Sequence, residues 1–257
     1  MTDSRQQFNT HADQYAASEV HRSGPSLPVL LDFAAPTAGD VALDVATGTG
    51  NTALALAPFV DQVTGLDLAE GMLAHARKRA GREGQTNTTF QQGSAEALPF
   101  LGGALTLVTS RHAPHHFRDL GAFLREAYRV LRPGGRLVIA DQVSPAADLQ
   151  AWVDEFQRTR DPSHHTQRTV QAWRDLTGAA RFIWARDTVV PYRLEFGWWT
   201  RQSGCTPETV ERLRELAHRL TPGQREELGL IQDRAGNLVA HLEPMLVVRL
   251  EKPAKER

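Results

Sequence analysis

The segment Val41-Ala42-Leu43-Asp44-Val45-Ala46-Thr47-Gly48-Thr49-Gly50 constrains the fold more than any other stretch of the chain. Residues 41–45 are apolar apart from Asp44 and run straight into small residues, after which residues 51–58 have helical composition. A short apolar run of this kind reads as a strand buried on both faces. Gly48-Thr49-Gly50-Asn51-Thr52-Ala53 fits the G-x-G-x-x-[GA] turn between strand and helix, and Asp67, at the end of the next strand, residues 62–67, lies 17 residues past Gly50. That spacing sets a carboxylate beside the glycine turn, where it can accept from both hydroxyls of a ribose. The unit reads as β-loop-α-β with a nucleoside-binding turn.

The alternation continues downstream. Residues 70–80 are helical in composition, 88–91 and 104–109 read as strands, and 120–131 carry Phe123, Leu124, Ala127, Val130 and Leu131 at the three-and-four spacing of a helix with one buried face. Pro133-Gly134-Gly135 breaks that helix, and residues 136–140 form a fifth strand. Five strands with interleaved helices predict an α/β fold with a doubly wound, Rossmann-like sheet, mostly parallel and covered on both faces. Further on, helices are expected at 146–159, 169–176 and 207–220, a strand at 183–192, and an antiparallel C-terminal strand at 245–250. The expectation is a single domain over 1–257: an N-terminal helical arm (1–36), a cofactor-binding core (37–142), and a substrate-side half (143–257) with a helical insertion at about 195–240.

Charge decides which nucleoside ligand suits the turn. A dinucleotide would place its pyrophosphate at the helix N-terminus, where backbone amides favour anions. Asp44, four residues before Gly48, would repel it. A ligand carrying an ammonium and a sulfonium suits that carboxylate, and S-adenosylmethionine is such a ligand. Over the whole chain, 29 Lys and Arg balance 30 Asp and Glu. No basic stripe is available to neutralise phosphates, so no nucleic-acid partner is expected. No apolar run reaches the roughly 18 residues of a membrane span, and the polar N-terminus shows no secretory signal. Cys205 is the sole cysteine, which excludes an intrachain disulfide and a Cys-rich zinc site. A cytoplasmic protein with a small-molecule partner, monomer or homodimer, is the expectation.

Leu43-Asp44-Val45-Ala46-Thr47-Gly48-Thr49-Gly50 resembles the first motif of the class I S-adenosylmethionine-dependent methyltransferases, with Ala46 in place of the first glycine. Gly65-Leu66-Asp67-Leu68-Ala69-Glu70-Gly71-Met72-Leu73 is similar to that family's second motif, and Gly93-Ser94-Ala95-Glu96-Ala97-Leu98-Pro99-Phe100 to its third, in the small-molecule branch. Arg129-Val130-Leu131-Arg132-Pro133-Gly134-Gly135-Arg136-Leu137 resembles the turn before strand five. The four motifs follow in the family's order across about residues 40–142. The resemblance implies S-adenosylmethionine as cofactor, its methionine portion against Ala46, Thr47, Gly48 and Gly50, with Asp44 near the ammonium. It also implies that Asp67 accepts from the ribose hydroxyls, that Leu68 and Met72 flank the adenine, and that Ser94 and Ala95 meet its edge. Ser94 stands where the family usually has Asp. Glu96 and Arg111 complete the cofactor set, and Tyr15 of the N-terminal arm closes over the ligand.

Candidates on the acceptor side come from Ser110-Arg111-His112-Ala113-Pro114-His115-His116-Phe117, which holds three of the chain's 10 histidines. Pro114 disfavours the helix on which His112 and His116 would meet around a metal, so no metal is expected. His112 and His116 are the candidates for a general base or an acceptor-orienting group. The alternative role is structural, a ring hydrogen-bonded to backbone that shapes the loop. Residues 161–165, with Phe196, Trp198 and Trp199, are expected to form the far wall, although paired tryptophans read first as core. The function reads as methyl transfer to a small, uncharged or aromatic acceptor. Alternatives are a quinone-ring C-methyltransferase, an NAD(P)-dependent oxidoreductase and a non-catalytic S-adenosylmethionine-binding protein. Asp44 and the lack of a Tyr-x-x-x-Lys pair weigh against the oxidoreductase, and Ser110-Arg111-His112-Ala113-Pro114 departs from the FGxRN-type segment usual in the quinone enzymes.

Overall fold

The computed structural model describes residues 4–10 and 23–254. Tyr15 lies outside the described residues. The elements run in chain order as α1 (Ser4–Thr10), α2 (Ser26–Ala34), β1 (Val41–Val45), α3 (Asn51–Leu56), β2 (Gln62–Asp67), α4 (Glu70–Arg82), β3 (Thr88–Gln92), β4 (Leu105–Arg111) and α5 (Leu120–Val130). They continue as β5 (Leu131–Gln142), α6 (Gln150–Arg160), α7 (Val170–Ala179), β6 (Ile183–Glu195), α8 (Phe196–Gln202), α9 (Pro207–His218), α10 (Pro222–Glu227), β7 (Leu230–Gln232) and β8 (Leu238–Glu251).

The sheet order is β3-β2-β1-β4-β5-β8-β6, with β7 pairing β8 beside it. Strands β1 to β5 are parallel, and β8 is antiparallel to β5, β6 and β7. Burial on both faces follows from the two-residue period of a strand. Leu43, Val108, Leu137, Ile139 and Leu246 pack on one side with Phe123 and Leu124 of α5 and Trp173 of α7. Their neighbours Ala42, Leu107, Val138 and Val247 pack on the other with Leu30 and Phe33 of α2 and Leu56 of α3. Helix α5 shows the expected apolar face, and Asp119 caps it by accepting from the Ala122 N–H.

Strand β5 begins at Leu131, directly after α5, rather than at Arg136. Leu131 pairs with Leu105 before the register shifts to Arg136 opposite Leu107, so Pro133-Gly134-Gly135 is an irregular loop within the strand. Gly134 there has φ 77. Strands β6 and β8 are also longer than the expected 183–192 and 245–250. Their registers explain what the extra length does. Gln142, the last residue of β5, faces Met245, so β8 residues before Met245 lie beyond the carboxyl end of the parallel strands. They pair there with β6, Pro191 to Pro244 and Glu195 to Ala240. This two-stranded extension, with Phe156 of α6, Phe196 and Trp199 of α8, and Leu213 and Leu216 of α9, forms a further apolar cluster. A wall thus rises over the strand ends, which is where open α/β sheets bind ligands. No helix among the described residues is long and apolar enough to cross a membrane.

Candidate active site

The wall and the strand ends enclose a cavity of about 370 Å³. Of the residues expected to hold the cofactor, Asp44, Ala46, Thr47, Gly48, Asp67, Leu68, Met72, Ser94, Ala95, Glu96 and Arg111 all line it. Gly50 does not. It has φ 81 at the N-cap of α3, and a Cβ there would come within 3.1 Å of Ala76 Cβ and of the Phe90 ring. Its place in the motif is therefore a tight turn packed against α4 and β3.

Each strand end delivers one polar group. Asp44 pairs with Thr109 across the β1–β4 ladder, and the Thr109 hydroxyl donates to its Oδ1 at 2.8 Å. The Thr47 hydroxyl donates to Oδ2 at 2.7 Å. Only 2% of Asp44 is exposed. Burial raises its carboxyl to about 6, and the two threonines and the nearby Arg111 counter that shift. On β2, Asp67 accepts from the backbone N–H of Gly48 (Oδ2, 2.8 Å) and of Ala69 (Oδ1, 2.9 Å). Each carboxylate oxygen keeps a further acceptor site for a ligand hydroxyl. Gly48 itself has φ 54, and a Cβ built on it would meet no protein atom within 4 Å, so the backbone is open to a ligand lying against the turn.

Ser94 departs from its expected availability. Its Oγ already accepts from the Glu96 N–H at 3.2 Å, which spends part of its acceptor capacity in a local turn. Glu96 Oε1 accepts from the Asp119 N–H at 3.0 Å and so ties this turn to the start of α5. Arg111, buried at the end of β4, donates from Nε to Thr52 Oγ1 at 3.2 Å, and its neighbours include Asp44 and Tyr192. The Tyr192 hydroxyl in turn donates to Ser26 Oγ at 2.6 Å and accepts from the Ser26 N–H at 2.8 Å.

The rest of the cavity is lined by His112, His115, His116, Arg160, Asp161, Tyr192, Trp198, Trp199 and Glu243, among others. His116 faces Phe8 of α1 edge-on, with ring centres 5.0 Å apart. Its Nδ1 lies 3.1 Å from the Ser163 carbonyl, which can only accept, so Nδ1 donates there. Ser163 Oγ donates to Asp161 Oδ1 at 2.6 Å. His112 packs edge-on to Tyr192, ring centres 5.4 Å apart. Sequence reasoning passed over His115, whose Nδ1 is 2.7 Å from Asp141 Oδ1. Asp141 is 26 residues away and reaches the loop only because β5 lies beside β4. Glu243 was also missed. Gln157 Nε2 donates to its Oε1 at 2.7 Å, and burial pushes its carboxyl up to about 7. Of the tryptophans, Trp199 belongs to both readings: it lines the cavity and stacks on Phe156, ring centres 5.2 Å apart.

A parallel sheet with a glycine turn after its first strand and a carboxylate at the end of the second defines a nucleoside-binding Rossmann-like protein. Comparison with known proteins narrows the class. The methyltransferase domain family matches residues 43–139. The uncharacterized methyltransferase YcgJ of Bacillus subtilis is 32% identical over 206 residues, 80% of this chain and 81% of the relative. The YcgJ crystal structure superposes with a TM-score of 0.85 at 27% identity, over 89% of this chain and 98% of that one. A putative methyltransferase from Bacillus halodurans gives a TM-score of 0.86 at 29% identity, over 90% of this chain and 100% of that one. Demethylmenaquinone methyltransferase of Thermus thermophilus is 43% identical over 118 residues, 45% of this chain and 53% of the relative. The chain belongs to the methyltransferase family.

Proposed function

We propose that this protein transfers a methyl group from S-adenosylmethionine to a small-molecule acceptor held between the histidine loop and the β6–β8 wall. The observation that carries this reading is the continuity of one cavity, from the glycine turn and Asp67 at one end to His116, Trp198 and Trp199 at the other. Asp67 would accept from the ribose hydroxyls, Leu68 and Met72 would flank the adenine, and Ala95 would meet its edge with Ser94. Asp44 and Arg111, of opposite charge at the ends of adjacent strands, would face the ammonium and the carboxylate of the methionine portion. When bound, the cofactor supplies an electrophilic methyl group on sulfur.

The protein's own task is then to hold the acceptor in line, within a near-attack distance, and to exclude water. Phe8 and Arg5 of α1 line the cavity from one side and the Trp198–Trp199 pair from another. An aromatic wall of this kind favours a flat or apolar acceptor. The likeness to demethylmenaquinone methyltransferase reaches only 45% of this chain, and a quinone acceptor stands as the second reading.

Calorimetry with S-adenosylhomocysteine and with NAD tests the cofactor. Binding to the former alone is expected, and tight NAD binding would sink the proposal. Asp67→Ala should weaken S-adenosylhomocysteine at least about tenfold, or 1.4 kcal/mol. An unchanged affinity would mean that Asp67 does not hold the ligand.

A further inference from the structure

Among the described residues that line the cavity, His115 is a histidine whose ring rests directly on a buried carboxylate. Its Nδ1 is 2.7 Å from Asp141 Oδ1, and Asp141 is 2% exposed near the end of β5. The His115 carbonyl accepts from the His165 and Thr166 N–H groups at 3.0 and 3.1 Å, which fixes the backbone that carries the ring. With Nδ1 engaged, Nε2 is the free nitrogen. It makes no hydrogen bond among the described residues, and His115 lines the cavity while Asp141 does not. His116 differs, because its Nδ1 meets a neutral carbonyl and reaches Asp161 only through the Ser163 hydroxyl. An imidazolium forming at His115 is therefore stabilised by direct contact with a carboxylate, as a general base requires.

We propose that His115 is the base of this site, positioned by Asp141, and that the methyl acceptor is a hydroxyl or an acidic C–H group. The proposal rests on the methyl-transfer reading above. In the step, the acceptor's bond to hydrogen breaks and its electron pair forms the bond to the methyl carbon. The electron pair of the methyl–sulfur bond stays on sulfur, which becomes a neutral thioether. The proton passes to Nε2 of His115, and the imidazolium so formed faces the Asp141 carboxylate. A neutral amine would attack with its own lone pair and shed its proton afterwards to water. It would have no use for a buried carboxylate behind the imidazole, whose desolvation is costly.

The charged surroundings agree. His116 on the same loop, His164 and Asp161 on the following segment, Arg160 of α6, Arg168 ahead of α7 and Glu243 on β8 all face the pair. Burial holds His115 well below the ordinary histidine range and pushes Asp141 up to about 7. Above about 7 Asp141 is ionised while the His115 ring is neutral, which is the proton-accepting form.

The test uses the full chain saturated with S-adenosylhomocysteine and labelled at histidine ring nitrogens. NMR should show the His115 ring resonances shifting as pH passes through about 7, where Asp141 releases its proton. In Asp141→Asn that shift should disappear, with S-adenosylhomocysteine affinity changed less than twofold. With labelled S-adenosylmethionine and a metabolite extract, the product should carry its methyl on oxygen or carbon. His115→Gln should slow that transfer by about 10²–10⁴-fold and flatten its rise with pH, at unchanged KM for the cofactor. A His115 ring that does not titrate with Asp141, a product methylated only on an amine nitrogen, or a wild-type pH profile in His115→Gln would each overturn the proposal. The NMR arm decides the matter even if the Gln variant fails to fold. Failure of the wild type to bind S-adenosylhomocysteine would instead overturn the methyl-transfer reading, and the two failures are distinct.

Discussion

Ala46 and His112, at the ends of the adjacent strands β1 and β4, both have φ 55, a left-handed backbone in residues that carry a side chain. Such a conformation costs about 1–2 kcal/mol in an L-residue other than glycine, and strain of this kind gathers at ligand sites. Here it turns the chain sharply at the mouth of the cavity, so that the residues after each strand line it. Ala46 stands in place of the first glycine of the family motif that residues 43–50 resemble. Ala46→Gly relieves the strain but frees the unfolded chain, which offsets about 0.5–1 kcal/mol of the gain. Urea unfolding should therefore find the variant more stable by between zero and about 1.5 kcal/mol, with S-adenosylhomocysteine affinity intact. A loss of stability would show that the Ala46 methyl is worth more in packing than its backbone costs.

At the scale of elements, α1 has only seven residues, too few to hold a helix by itself. Phe8, packed on Ala69 and Met72 and edge-on to His116, helps dock it, as does Asn9, whose side chain accepts from the Gly71 N–H at 2.9 Å. Phe8→Ala removes the apolar part of that anchor, about 1.5 kcal/mol for a half-buried ring. Calorimetry should show roughly tenfold weaker S-adenosylhomocysteine binding, while the melting temperature of the free protein stays put because the sheet core is untouched. An unchanged affinity would mean that α1 takes no part in closing the site. The sequence made some elements plain and hid others for the same physical reason. The β1–turn–α3–β2 unit is legible because its apolar runs, glycines and Asp67 all act within a short stretch of chain. Strand β6 is mostly exposed, carries Arg186, Asp187, Pro191 and Arg193, and pairs with a partner some 50 residues on, so only part of it shows as a pattern. His115 was overlooked on the same ground: its loop neighbours are visible in the sequence, but Asp141 reaches it through the β4–β5 pairing alone.

Across the whole molecule, buried ionisable groups set opposing pH dependences. His241 on β8 is 4% exposed, faces Trp199 with ring centres 4.6 Å apart, and neither ring nitrogen has a hydrogen-bond partner among the described residues. Burial lowers its pKa from 6.5 to about 3. Between those values the unfolded chain binds a proton that the folded protein refuses, so the stability from a neutral His241 is complete above about 6.5 and is lost as pH falls. Asp44, raised to about 6, and Asp141 and Glu243, raised to about 7, act with the opposite sign. The folded protein holds their protons after the unfolded chain has released them. Their contribution is complete below about pH 4 and is lost as pH rises through 6 to 7. The two sets partly cancel in mild acid, which hides each of them in the wild type. His241→Leu removes one set alone. At pH 7.5, relieving two unpartnered nitrogens in an aromatic setting should stabilise the fold by about 1–2 kcal/mol. Below about pH 6.5 the advantage should widen by up to about 1.4 kcal/mol for each further unit of acidity. Urea unfolding of both proteins over that range measures the gap, and a gap that stays constant with pH would show that His241 is not held neutral in the folded chain.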